Sequence, residues 1–268
     1  MLRNKQLKMS AITEYIKELQ SYEEYSFSWE ELLRKNKTSR STLRKELARL
    51  SENKDIINLR KGFYLILPPR YRDFNRLPVQ LYINKLFNYL KKPYYLALYS
   101  AALQHGASHQ QIQKDYIITK SPALREIKNI RFFKCSNFPV KNILKMKSDA
   151  GFYNVSSPVL TAIDLIHYQN KIGGLNRILT VLIELLEKIT ISDLIDLLTW
   201  YPQNSTLQRL GFLLEELKAD IQLTSLLYEH LKTKSFYPVL LRSKKGEKAG
   251  TTGNKWRVDV NIKLESDL

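Results

Sequence analysis

The chain has 268 residues, 44% apolar and 11% aromatic, enough to bury the cores of two domains and too apolar for wholesale disorder. Its formal net charge is +17, spread as +7 over residues 1–76 (17 Lys and Arg against 10 Asp and Glu), +9 over 77–155 (12 against 3) and +1 over 156–268 (14 against 13). Front-loaded cations imply a polyanion partner, because clustered Lys and Arg gain affinity by releasing phosphate counterions; the lone Cys135 excludes an intrachain disulfide or a cysteine-rich metal site and suits a reducing cytoplasm.

The opening MLRNKQLKMS is basic but leads into an amphipathic pattern, not an apolar signal core. Ile12, Tyr15, Ile16 and Leu19 recur at helical spacing and predict a first helix. Ser28-Trp29-Glu30-Glu31 has the form of a capping box and predicts a short second helix ending near Lys35-Asn36-Lys37. Thr38 or Ser39 caps a third, whose Leu43, Leu47 and Leu50 fall on one narrow stripe. Opposite that stripe lie Ser41, Lys45, Ala48 and Arg49, with Arg44 on a flank and Arg40 near the edge. Small or cationic residues in these positions suit entry into a major groove. Residues 56–59 then read as a strand, Arg60-Lys61-Gly62 as a turn and residues 63–67 as the returning strand, stopped by Pro68-Pro69. Three helices followed by a basic-tipped hairpin predict a winged helix-turn-helix over residues 1–70. Arg40, Ser41, Arg44 and Lys45 are expected in the groove, Lys37 and Arg49 on phosphates, and Arg60 and Lys61 along the backbone or minor groove.

A linker ends near Leu77-Pro78, and residues 79–89 look helical. Residues 97–103 read as a helix of small residues stopped at His105-Gly106, with Gly106 as its C-terminal cap. Residues 115–119 read as a strand, and Ile127, Ile130, Phe132 and Phe133 mark another in the basic segment 125–134. Lys128, Arg131, Lys134, Lys141 and Lys145 are candidates for a second surface, for nucleic acid or an acidic protein partner. Four amphipathic helices follow at about 159–168, 175–189, 192–200 and 205–217, with a fifth at 221–231. The most apolar stretch, 178–198, carries Glu184, Glu187, Lys188, Asp193 and Asp196, which argues against a membrane span. Residues 236–241 and 256–262 look like paired strands around a basic, Gly-containing loop.

Several short marks stand in order: the helix–hairpin start, Tyr94-Tyr95-Leu96 before a small-residue helix ending in His105-Gly106, Ser157-Pro158-Val159-Leu160-Thr161-Ala162-Ile163-Asp164-Leu165, and the terminal Trp256-Arg257-Val258-Asp259-Val260-Asn261. Together they resemble the AbiEi family, the transcription-regulating antitoxins of AbiE-type abortive-infection loci. The resemblance implies a cytoplasmic protein that binds inverted repeats in its own promoter and counteracts a co-encoded nucleotidyltransferase-like toxin, with or without direct contact. The expected architecture is α+β: the N-terminal winged helix, then a mainly helical C-terminal antitoxin domain over 77–268 (basic αβ part 77–155, helical part 156–234, terminal strands 235–268).

Three sharper readings compete. Asp115 with Glu126-Ile127-Lys128 has the residue types of a metal-dependent nuclease, but Glu-x-Lys is common by chance in a lysine-rich chain. His105 and His109 are spaced for a shared metal, yet Gly106 interrupts the helix that such spacing needs and no third ligand is present. Thr161 and Asp164 could pair in a pocket; a helix capped by Ser157 or Ser156 with Asp164 near its positive end is the simpler expectation. No phosphate loop or nucleophile–base pattern occurs, so the chain is expected to have no catalytic residue, cofactor or bound metal. A protein-binding module without operator recognition remains the alternative to DNA binding.

Overall fold

The computed structural model describes residues 10–107, 112–122, 124–244 and 246–264. The chain is mixed α+β and divides into two compact units. The first comprises the residues up to Pro93 with Glu126–Lys128 and Lys145–Tyr153; the second holds Tyr94–Arg125, Asn129–Leu144 and the residues from Asn154 onward.

In the first unit, helix α1 (Ala11–Ser21) starts where Ser10 accepts from the amide of Thr13, and it buries Ile12, Tyr15, Ile16 and Leu19. A three-residue strand, β1 (Ser26–Ser28), leads straight into α2 (Trp29–Lys35). The capping box forms there as expected: Ser28 Oγ accepts from the Glu31 amide while the Glu31 carboxylate accepts from the Ser28 amide at 2.6 Å. Such a cap contributes about 1 kcal/mol. Ser39, not Thr38, caps α3 (Arg40–Glu52), which turns Leu43, Leu47 and Leu50 into the core. Strands β2 (Ile56–Arg60) and β3 (Phe63–Ile66) form the hairpin, and β1 adds to β3 to give the sheet order β1-β3-β2. A register shift between Asn58 and Arg60 lets Lys61 and Gly62 close the turn, with Gly62 at φ +78, which a side chain tolerates poorly. One continuous core, residues 12–66, locks helices and hairpin together. A short helix α4 (Pro69–Arg72) follows, and the segment expected as one helix over 79–89 is a 3-10 turn (Val79–Leu81) and then α5 (Ile83–Leu90).

The second unit begins at β4 (Tyr94–Leu96) and α6 (Leu98–Gln104). His105 is the capping residue of α6, and Gly106, at φ +71, is the left-handed residue after it. Strands β5 (Asp115–Lys120), β6 (Ile130–Cys135), β7 (Ile143–Ser148) and β8 (Gly151–Ser156) complete a sheet in the order β6-β5-β4-β8-β7. Strand β5 runs antiparallel to β4 and parallel to β6, and β4 is parallel to β8. Then come α7 (Pro158–His167), α8 (Leu175–Leu186), α9 (Ile191–Leu198), α10 (Asn204–Glu216) and α11 (Ile221–Lys232). The terminal strands are shorter than expected, β9 (Val239–Leu240) and β10 (Val258–Asp259), and pair in parallel. A single core joins α6, the sheet and all five helices.

Candidate nucleic-acid interface

The stripe of α3 that buries Leu43, Leu47 and Leu50 fixes which residues face outward: Arg40, Ser41, Arg44, Lys45, Ala48 and Arg49 are all exposed, and Lys37 is exposed on the turn before the helix. The first turn of α3 holds no acidic side chain. Its Ser39 hydroxyl lies 3.0 Å from that of Ser41 and 2.9 Å from that of Thr42, so Ser41 reaches outward with a local partner already in place. Arg44 leans toward the start of α2, its guanidinium 5.8 Å from the ring centre of Trp29. That ring defines its direction, and the cation–π contact holds a long side chain that would otherwise sweep freely. Lys61 stands exposed at the hairpin tip; Arg60, half-buried at the end of β2, points from its base.

Charge pairing sets this face apart from three other cations of the unit. Lys35 binds Glu18 at 3.2 Å, Lys85 binds Glu24 at 2.5 Å and approaches Glu31 at 3.7 Å, and Arg72 holds Asp55 at 2.6 Å. Among the described residues, Lys37, Arg40, Lys45, Arg60 and Lys61 form no such ion pair. Glu46, the acid nearest the middle of α3, is half-buried, and desolvation pushes its carboxyl above the usual range with Arg49 opposing. A cleft of about 870 Å³ elsewhere in this unit is lined by Glu24, Glu30, Glu31, Arg34 and Lys85 among others. Three of its lining residues are carboxylates and Lys85 is bound to one and close to a second, so it is ill suited to a polyanion. The surface of α3 and the hairpin tip is therefore where phosphates would meet uncompensated charge.

The five middle cations fall in both units. Lys128 and Lys145 belong to the first unit, and Arg131, Lys134 and Lys141 to the second. Arg131 and Lys134 are three residues apart on β6, which places them on opposite faces of the strand. Arg131 packs over Phe133, at 5.3 Å, and Lys141 is held by Asp196 at 2.6 Å.

The residues of the sharper readings are also placed. Asp115 is buried on β5 of the second unit, while Glu126 and Lys128 lie in the first. Among the described residues no group of three His, Cys, Asp or Glu side chains is arranged to hold a metal. His105 bonds the Ser156 carbonyl through Nε2 at 2.7 Å, and burial lowers its pKa; His109 lies outside the described residues. Ser157 caps α7. Thr161 does not meet Asp164: its hydroxyl lies 2.7 Å from Ser156 Oγ and donates to the Ser157 carbonyl at 2.8 Å. Asp164 sits in the second turn of α7, not the first, and accepts from the Tyr95 hydroxyl at 3.0 Å. Both ends of this contact are buried, which ties β4 to α7 by a polar link inside the core. Nothing local to residues 157–165 signals a partner 69 positions away.

The motif residues around Tyr95 and Asp164 thus sit at the centre of the second unit's framework. Among solved structures, the RV2827C protein from Mycobacterium tuberculosis shares the fold, with a TM-score of 0.64 at 14% identity over 92% of this chain and 89% of that one. No curated protein matches the chain. Residues 95–216, which hold the β4–α7 link and the helices through α10, match the family described as the AbiEi antitoxin C-terminal domain. Over that segment the chain is similar to the AbiEi antitoxin family.

Proposed function

We propose that the first unit is a winged helix-turn-helix that places α3 in the major groove of the protein's own promoter, and that the protein is a cytoplasmic autorepressor and antitoxin. The observation that carries this reading is the set of exposed cations on α3 and at the hairpin tip that form no ion pair, whereas Lys35, Arg72 and Lys85 of the same unit are bound to carboxylates. Arg40, Ser41, Arg44 and Lys45 read base edges or adjacent phosphates, Lys37 and Arg49 hold phosphates, and the hairpin with Arg60 and Lys61 follows the backbone or minor groove. Inverted repeats are the operator form that two copies of such a unit would read. The antitoxin domain counteracts a co-encoded nucleotidyltransferase-like toxin, a reading supported by the family alone.

The test is binding of the full chain to its own upstream DNA and to a scrambled duplex, across a salt series. Preference for the native duplex by more than about 10³ is expected. Equal and steeply salt-dependent affinity for both would leave a merely basic surface and overturn operator recognition.

A further inference from the structure

A cavity of about 170 Å³ opens in the second unit between β4, β6 with the loop after it, α7 and the segment after α9. It has room for about five or six waters. Its rim is exposed, at Ser136, Asn137, Pro202 and Gln203, and its floor is buried, at Tyr95, Asp164, Tyr168 and Tyr201. The hydroxyl protons of that floor are already committed: Tyr95 donates to Asp164 Oδ2, Tyr168 to the Lys134 carbonyl at 2.8 Å, and Tyr201 to Gln203 Oε1 at 3.1 Å. Cys135 Sγ is turned to the Thr119 carbonyl at 3.7 Å. What the floor offers an occupant is acceptors and ring surfaces. Among the described residues Tyr95 is the one side chain bonded to the Asp164 carboxylate.

An anion would meet that carboxylate, and an apolar ligand would leave its remaining lone pairs unsatisfied. A planar cation rich in N–H groups satisfies the carboxylate with parallel donors and lies against aromatic walls. We propose that this cavity binds a small ligand bearing a guanidinium or amidinium group, anchored by Asp164 and walled by Tyr168, Tyr201 and Trp200.

The neighbouring cations are turned to solvent or bound elsewhere. Lys134 extends into solvent from β6. His167 on α7 has its pKa lowered by burial and by Arg209 and Lys171, so it is neutral at pH 7. Arg209 on α10 spends Nε on the Leu240 carbonyl at 2.8 Å. Burial raises the thiol of Cys135 to about 11 and pushes Tyr95, Tyr168 and Tyr201 upward as well, so none ionises near neutrality. Burial also raises Asp164 to about 8, so a cation binds by displacing its proton and tightens as pH rises.

Calorimetric titration of the full chain with methylguanidinium, and with neutral methylurea of similar shape, decides the matter. Methylguanidinium is expected to bind saturably, at least about tenfold more tightly at about pH 9 than at about pH 6, while methylurea does not bind. Asp164→Asn should abolish that binding without lowering the thermal midpoint. Equal binding of methylurea, retained binding in Asp164→Asn, or no saturation at either pH up to about 10 mM overturns the proposal. Should the variant not fold, the comparison of the two ligands at the two pH values still decides on the natural chain.

Discussion

Gly211 on α10 lies directly against the indole of Trp256: a Cβ at this glycine would stand 2.1 Å from Trp256 Cζ3. Three positions along one face of the helix hold that residue, Gln208 donating to its backbone carbonyl at 2.8 Å, Gly211 making space for the ring and Glu215 accepting from its indole nitrogen. A residue more than forty positions downstream is thereby fixed to the helical core. Gly211→Ala gains about 1 kcal/mol of helix propensity, but overpacking against a fully buried ring costs about 3 kcal/mol, a net loss of about 2 kcal/mol. Denaturant unfolding of the full chain should show a lowered midpoint. In a Trp256→Leu background the same substitution should lose most of its penalty; an unchanged or raised midpoint in the natural background would refute the packing argument.

The exposed cations of α3 and the turn before it predict two separable losses. Lys37→Ala and Arg49→Ala should weaken binding to every duplex alike and reduce the slope of log K against log salt by about 0.9 each. Arg40→Ala and Lys45→Ala should each cost about 1–3 kcal/mol on the native promoter and shrink its advantage over a scrambled duplex. Since all four side chains are exposed, circular dichroism and unfolding midpoints should stay within about 0.5 kcal/mol of the parent. Quantitative binding across salt separates the two classes. A uniform loss from all four substitutions would deny α3 any role in reading sequence.

How legible these sites were depends on the range of the interactions that define them. Helix α1 and the stripe of α3 were readable because helical period places Ile12, Ile16, Leu43 and Leu47 on core faces whatever they later pack against. The capping box at Ser28 and Glu31 was equally local. Strand β1 was not readable: Ser-Phe-Ser has no strand pattern, and it becomes one by pairing with β3. Strand β7 escaped for a different reason, since Leu144, Lys145 and Lys147 are exposed on a sheet edge and leave no alternation of buried and open positions. Asp164 shows the limit most sharply. Its helix was expected, but its burial depends on Tyr95 and on a cavity assembled from four distant segments.

That burial carries a pH dependence. Asp164 is raised by desolvation from 3.8 to about 8, with the Tyr95 hydrogen bond acting in the opposite direction. An unfolded chain releases this proton near pH 4 and the folded one holds it to about pH 8, so over that window the native state binds more protons and loses stability as pH rises. Below about pH 4 the carboxyl is neutral in both states and the burden disappears; above about pH 8 it is complete, on the order of several kcal/mol. Asp164→Asn, which keeps an acceptor for Tyr95, should therefore unfold at a higher denaturant midpoint than the natural chain at pH 8, the gap closing toward pH 4. A gap that does not vary with pH would mean that Asp164 is ionised throughout.

Asn142 presents the last case, where side chain and backbone demand the same residue. Its φ is +63, in the left-handed region that asparagine tolerates better than most residues, and it is buried. Its Nδ2 donates to the carbonyl and carboxylate of Asp193, at 2.8 and 2.7 Å, while its Oδ1 accepts from Trp200 Nε1 at 2.8 Å. Its own carbonyl accepts from the Ser157 amide at the start of α7, at 2.8 Å, so one residue joins the sheet edge, α7 and α9. Asn142→Gly retains the backbone geometry and loses the side-chain bonds, costing about 1–3 kcal/mol through the stranded donor on Trp200. Asn142→Ala adds backbone strain of about 1 kcal/mol. Asn142→Asp keeps the acceptor for Trp200 but turns a donor into a second carboxylate facing Asp193, and should be the least stable at neutral pH and recover in acid. Unfolding midpoints of the three variants should rank glycine above alanine at every pH, with aspartate alone changing rank as pH falls. An aspartate variant indifferent to pH would show that the pairing with Asp193 does not persist in solution.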